Sequence, residues 1–353
     1  MVSRREFLKL SGASAGALAA LRYGFLGNAF AVPLKDGLSD PALQPKFANT
    51  VPNALDPGFI FDTGDGAIRV GVGPASQLTG LVNPNGDLLN TPVWGYGQLT
   101  GNKKNPKVPL GYTWPGRTFQ VRSNEPLEVR WESRLGTLPM PVTSFGRPVI
   151  DTSLHWAYSL HGYTGYSVQN DGVPIVPHVH GGHTDFQFDG NPEFFFNQDW
   201  AVRGPQWLEK TYMYDNGQPA GTVWYHDHAL GITRLNVYAG MAGFYIIRDD
   251  DDTGLPGNPI GLPAFPYETA LAIQDKMFHA DGSLFYPAFP GDPFYEDFID
   301  GEGATLPPAL FPGGGPTGLA EFFGDHMVVN GVIWPKMDVE PRNYRLRLRN
   351  GSD

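Results

Sequence analysis

Thr118-Phe119-Gln120-Val121-Arg122, followed after four residues by Leu127-Glu128-Val129-Arg130-Trp131, alternates apolar with polar side chains. Successive side chains of an extended chain point to opposite faces, so this alternation buries one face and leaves the other outside the core. Ala67-Ile68-Arg69-Val70-Gly71-Val72 carries the same signature upstream. Around these runs, 45 glycines and 33 prolines in 353 residues cut the apolar residues into strand-length pieces and leave no long helical stripe. Hydrophobic residues still make up 41% of the chain, enough for a core. The expectation is an all-β protein, a sandwich or barrel.

Working outward, Pro33, Pro41, Pro45, Pro52 and Pro57 predict an extended arm over 32–58. A first domain is expected over 59–248. The run Arg248-Asp249-Asp250-Asp251-Asp252, with Gly254, Pro256, Gly257 and Pro259 behind it, breaks the composition. Like charges repel and extend a chain, so 249–268 reads as a solvated linker. A new strand pattern starts at Thr269-Ala270-Leu271-Ala272-Ile273 and runs through Met327-Val328-Val329 to Tyr344-Arg345-Leu346-Arg347-Leu348-Arg349. Segment 269–353 is shorter than the roughly 100 residues of a full sandwich, so it is expected to be the first part of a truncated second domain.

Residues 1–31 have the order of an export signal: a basic start, a modest apolar stretch and a small-residue exit at Ala29-Phe30-Ala31. Ser3-Arg4-Arg5-Glu6-Phe7-Leu8-Lys9 fits the twin-arginine pattern, which predicts export by that route to the periplasm or the cell exterior. Arg22 interrupts the apolar stretch, which falls short of the ~20 residues of a membrane span, and no span is expected elsewhere. The net charge of −11 becomes −14 without 1–31, whose four basic and one acidic residues contribute +3. That acidity argues against a nucleic-acid partner. The chain has no cysteine, which excludes disulfides, thiolate zinc sites, cysteine nucleophiles and a blue copper site within these residues.

Of nine histidines, five fall in two windows, Pro177-His178-Val179-His180-Gly181-Gly182-His183 and Trp224-Tyr225-His226-Asp227-His228. Residues i and i+2 of a strand share a face about 6–7 Å apart, so each His-x-His pair is expected to present two parallel imidazoles. Ligation by imidazole without thiolate points to copper, zinc, iron or nickel, and the lack of paired carboxylates disfavours magnesium and calcium. A zinc hydrolase would want an acidic ligand or base, for which Asp185, Asp189 and Asp227 are only loose candidates. His183 reads as a loop residue or one that supports the ligands from behind, His155 and His161 as loop or packing residues, and His279 and His326 receive no metal role. Trp224 and Tyr225 read as core aromatics beside the site or as a route for electrons.

The segments His178-Val179-His180-Gly181-Gly182, Asp189-Gly190 and Thr222 through Gly240 resemble the first cupredoxin domain of multicopper oxidases, in the branch of bacterial spore-coat laccase and bilirubin oxidase. Trp94-Gly95-Tyr96, Asp281 through Pro287, Val329-Asn330-Gly331-Val332-Ile333-Trp334-Pro335 and Tyr344 through Asn350 extend the likeness over most of 90–353. The resemblance implies a Greek-key cupredoxin β-sandwich or barrel, one complete domain and part of a second. It also implies one-electron oxidations of a substrate collected at a type 1 copper and passed to a trinuclear copper cluster that reduces dioxygen to water. His178 would then bind the type 2 copper, His180, His226 and His228 the type 3 pair, and Asp189 would donate a proton during oxygen reduction. The implied partners are dioxygen, a phenolic, tetrapyrrole or metal-ion reductant, and a further C-terminal cupredoxin domain. The sequence departs from the family in lacking the His-Pro-x-His-x-His and His-Cys-His motifs. Only half of the trinuclear ligands are therefore expected here. Two readings follow: part of a laccase-like oxidase, inactive alone, or a non-catalytic exported copper-binding module for storage or delivery.

Overall fold

The structure is a computed structural model that describes residues 37–64, 67–99, 110–137, 139–148, 166, 168–288, 292 and 322–352. The leader-like segment 1–31, His155 and His161 lie outside the described residues.

In chain order the described strands are β1 (Ile68–Val82), β2 (Leu88–Gln98), β3 (Leu110–Thr113), β4 (Gly116–Arg122), β5 (Leu127–Ser133), β6 (Val142–Ser144), β7 (Arg147–Pro148) and β8 (Pro177–His180). They continue with β9 (Thr211–Tyr214), β10 (Gly221–Asp227), β11 (Ala242–Arg248), β12 (Glu268–Phe278), β13 (Leu284–Phe285), β14 (His326–Val329), β15 (Val332–Ile333) and β16 (Arg345–Asn350). A first sheet has the order β3-β2-β1-β5-β9, and a second has the order β4-β11-β10-β8. A third runs β15-β14-β12-β13-β6-β7, with β16 paired to β12. Most neighbours are antiparallel, but β1 pairs with β5, β11 with β4, β12 with β16 and β13 with β6 in parallel. Those parallel pairs require the chain to cross between sheets, as Greek-key connections do. The all-β expectation holds.

The alternating runs bury the faces they predict. Trp131 of β5 and Tyr96 of β2, both fully buried, meet Tyr225 of β10 with ring centroids 6.0 and 5.0 Å away. Phe119 of β4 joins the same group, 6.0 Å from Trp131 and 5.0 Å from Tyr225. Such aromatic pairs add about 0.5–1.5 kcal/mol each beyond their area burial, and these join the first sheet to the second. Tyr225 fits because its neighbours have no side chains. A Cβ added at Gly116 would come within 2.3 Å of its hydroxyl oxygen and one at Gly243 within 2.5 Å of its Cζ, and the hydroxyl donates to the Arg117 carbonyl at 2.6 Å. With Tyr225 fixed inward, the period of the strand turns Trp224 and His226 to the opposite face of β10.

The third sheet departs from ordinary alternation. On β16, Leu346 and Leu348 are 46% and 61% exposed while Arg347 is 5% exposed, the reverse of what the residue types suggest. Arg347 donates to Glu268 Oε1 and Asp252 Oδ2, both at 2.7 Å, and Arg248 reaches Glu268 Oε2 at 2.8 Å and Asp252 Oδ1 at 2.9 Å. Arg345 holds both Asp252 oxygens, at 2.7 and 2.8 Å. The aspartate run is therefore only partly solvated. Asp250 and Asp251 are exposed as expected, whereas Asp252 is buried because three guanidiniums compensate its charge.

Among the described residues no helix is long and apolar enough to cross a membrane.

Candidate metal centre

Strand β8 pairs antiparallel with β10 so that His178 lies opposite His226 and His180 opposite Trp224. Register thus brings together two His-x-His motifs 46 residues apart on one face of the sheet. Ring centroids are 5.3 Å apart for His178 and His226, 5.5 Å for His180 and His226, and 4.9 Å for His178 and His228. The donor atoms of His178, His180 and His226 all lie within 4.8 Å of one another.

The rings within each pair are not parallel, contrary to expectation. His178 and His180 meet at 60° and His226 and His228 at 65°. The second pair straddles the end of β10, which closes at Asp227. His228, just past the strand, is turned by its backbone N–H donating to the Val176 carbonyl at 2.8 Å and by Nδ1 lying 3.0 Å from the Gly190 carbonyl.

Backbone carbonyls set the orientation of three rings. His226 Nδ1 lies 2.6 Å from the Asp227 carbonyl, and His178 Nδ1 meets the Asp189 carbonyl. A carbonyl only accepts, so each Nδ1 donates and Nε2 is the nitrogen left to face a metal ion. His180 differs: its Nδ1 is 3.2 Å from His226 Nε2. Two nitrogens bound to one first-row ion at ~2.0–2.1 Å in a tetrahedral set stand about 3.3 Å apart, so this pair matches two ligands of one ion.

Electrostatics keeps the rings in the metal-binding form. Burial, then the neighbouring His178, His228 and His180, outweighs the Asp227 carbonyl and pushes His226 down to about 3. Burial likewise lowers His178 and His180, with Arg349 adding to the effect at His180. Neutral imidazole is the ligand form, so at neutral pH these rings bind metal without first losing a proton.

Asp227, between the two histidines of β10, is not a ligand or base in the open site. It is fully buried and accepts from Val176 N at 2.8 Å, Ala229 N at 3.1 Å and Asn236 Nδ2 at 2.8 Å. Burial raises its carboxyl to about 7 against the pull of those donors. It ties the entry of β8 to the turn after β10, and so fixes both histidine motifs relative to each other. Asn236, on helix α1 (Thr233–Tyr238), was not singled out by sequence reasoning, because only the fold brings it beside Asp227 and the Pro174 carbonyl. Gly190 has φ +82°, and a Cβ there would fall 2.6 Å from His178 Cβ, so the Asp189-Gly190 turn must be glycine to lie this close.

Asp189 is half exposed, with Oδ1 3.6 Å from His178 Nδ1. His183 and Asp185 are exposed and away from the four rings. His279 instead contacts Thr143 at 3.0 Å, and buried His326 lies between Ser39 Oγ at 3.1 Å and Asp325 at 2.5 Å.

Four converging imidazoles on the outer face of a β-sandwich define a metal-binding cupredoxin-type protein. Residues 168–252 match the sequence family described as Multicopper oxidase. The chain is 37% identical to a laccase of Bacillus subtilis (strain 168) over 268 residues, which are 76% of this chain and 42% of that protein. It is 30% identical to a laccase of Haloferax volcanii over 353 residues, 99% of this chain and 49% of the relative. Among solved structures it is similar to the McoA multicopper oxidase from the hyperthermophile Aquifex aeolicus, with a TM-score of 0.50 and 21% identity over 87% of this chain and 46% of the other. The chain belongs to the multicopper oxidase family, and it spans less than half the length of these laccases. Membership implies copper, and the all-imidazole donor set fits it.

Proposed function

We propose that this chain carries half of the trinuclear copper ligands of a laccase-like multicopper oxidase, which couples one-electron oxidation of a phenolic, tetrapyrrole or metal-ion reductant to reduction of dioxygen to water. The observation that carries the reading is the set of four imidazoles with ring centroids 4.9–5.7 Å apart, three of them held through Nδ1 by backbone carbonyls. His180 and His226 would share one type 3 copper, His228 would serve the other, and His178 would hold the type 2 copper. Copper there supplies one-electron redox chemistry at a point where dioxygen can be held. The protein's own groups orient the ligands and deliver protons. Asp189 is the proton donor in this reading, since its half-exposed carboxylate joins solvent to the edge of His178.

Copper titration of the purified chain tests the ligand set. The unmodified chain keeps copper through dialysis, and His226→Ala and His178→Ala lose most of it; unchanged stoichiometry in both variants overturns the assignment. Within the whole oxidase, Asp189→Asn is expected to keep copper and lower oxygen uptake by roughly 10²-fold, a typical loss for a proton-transfer group. Retained uptake would reduce Asp189 to a turn residue. Residues 1–31 are proposed as a twin-arginine leader directing the protein to the periplasm or beyond, so replacing Arg4 and Arg5 by Lys should leave it inside the cell.

A further inference from the structure

The arginines at 345, 347 and 349 alternate along β16 and share a face, yet they end in different surroundings. Arg345 and Arg347 are closed by Asp252 and Glu268. Among the described residues, no carboxylate lies within salt-bridge distance of Arg349, and its buried Nε has no hydrogen-bond partner. Burial lowers its pKa, without bringing a guanidinium anywhere near neutrality. The guanidinium carbon instead lies 3.9 Å from the centre of the Trp224 ring. That indole sits 4.2 Å from the His226 ring and 5.4 Å from the His180 ring. A permanent cation with no carboxylate partner among the described residues therefore stands one aromatic ring away from two of the four imidazoles.

We propose that Arg349 is a positioning and tuning residue of the histidine centre: it holds Trp224 against His226 and His180, and its charge biases the bound copper toward the cuprous state. This rests on the copper reading of the four histidines. A fixed positive charge repels a doubly charged ion about twice as strongly as a singly charged one, so the cuprous form is disfavoured less. Coulomb's law across roughly 8 Å with an effective dielectric near 20–40 makes the difference about tenfold in the ratio of the two binding constants. Arg345 and Arg347 carry the same charge but lie among carboxylates, so their fields are largely cancelled at the centre.

The experiment measures Cu(I) and Cu(II) affinities of the 353-residue chain by competition with chromogenic chelators, for the unmodified chain, Arg349→Gln and Arg349→Lys. In Arg349→Gln the preference for Cu(II) over Cu(I) is expected to rise about tenfold, the size of the Coulomb difference. Arg349→Lys keeps the charge without the flat stack, and its ratio should stay within about threefold of the unmodified chain. A merely structural role would weaken both affinities together and leave the ratio unchanged. An unchanged ratio in Arg349→Gln, with copper still bound, overturns the proposal alone. Failure of the unmodified chain to bind either ion overturns it together with the copper reading.

Discussion

Two polar clusters hold this molecule's strands together, and they are built on opposite rules. At the junction of β11, β12 and β16, Arg248, Arg345 and Arg347 surround Asp252 and Glu268, and each carboxylate is paired by several guanidiniums. At the junction of β8 and β10, four imidazoles converge, with the half-exposed Asp189 carboxylate 3.6 Å from His178 Nδ1 at their edge. The first is saturated and can do nothing but hold. The second is unsaturated on its open side and satisfied only where carbonyls orient the rings. Converging imidazoles of this kind suit a metal ion better than a salt bridge.

The comparison breaks most sharply at Glu268. Glu268→Gln removes one of two anions facing three guanidiniums, two of them buried, and should cost about 3–5 kcal/mol in chemical denaturation, the range for breaking a buried ion pair. A loss below about 1 kcal/mol would mean the cluster is hydrated and not saturated. At the histidine centre the corresponding large effect comes from adding a partner. Copper at about 100 times its dissociation constant should stabilise the folded chain by about 2.7 kcal/mol, seen as a higher melting temperature, and His226→Ala should abolish that gain. An equal gain in the variant would place copper elsewhere.

The frame around the imidazoles is next in size. Asp227→Asn sets an amide where a carboxylate accepts three donors and should cost about 1–3 kcal/mol, the price of an unsatisfied buried group. It should also weaken copper binding more than it weakens folding, because it loosens β8 against the turn after β10. A variant that unfolds more easily yet binds copper normally would make Asp227 a fold residue only.

Acid separates the two clusters more gently. The arginines hold the Asp252 and Glu268 carboxyls below their ordinary range despite burial. Their stabilisation is therefore fully present above the unfolded-state values near 4 and is lost as pH falls through the lower folded values. Denaturation midpoints should drop below about pH 4, and the drop should be shallower in Glu268→Gln. An equally steep drop in that variant would assign acid sensitivity to other carboxylates.

The histidine cluster was more legible in the sequence than the arginine cluster. His178, His180, His226 and His228 announce themselves by spacing, and the period of a strand already places each pair on one face. Alternation over 118–131 likewise foretold the aromatic core. What spacing could not show was the cross-strand register that brings the pairs together, or the turn past Asp227 that rotates His228. The leucine-arginine alternation of β16 misleads for a related reason. Its buried face is decided by Glu268 and Asp252, which lie 79 and 95 residues from Arg347. Charge compensation at that range leaves no local pattern. Asp227 was visible as an acid between histidines, but its role depends on Asn236 and the backbone of Val176, which only the fold assembles.

The contact between Trp224 and His226 also makes the centre readable by light. An indole whose ring lies 4.2 Å from a ligand imidazole is close enough for a bound copper ion to drain its excited state. Filling the site should darken this one tryptophan, and Trp224→Phe should remove that part of the quenching. The protein thus carries its own optical gauge of metal occupancy, with no label attached.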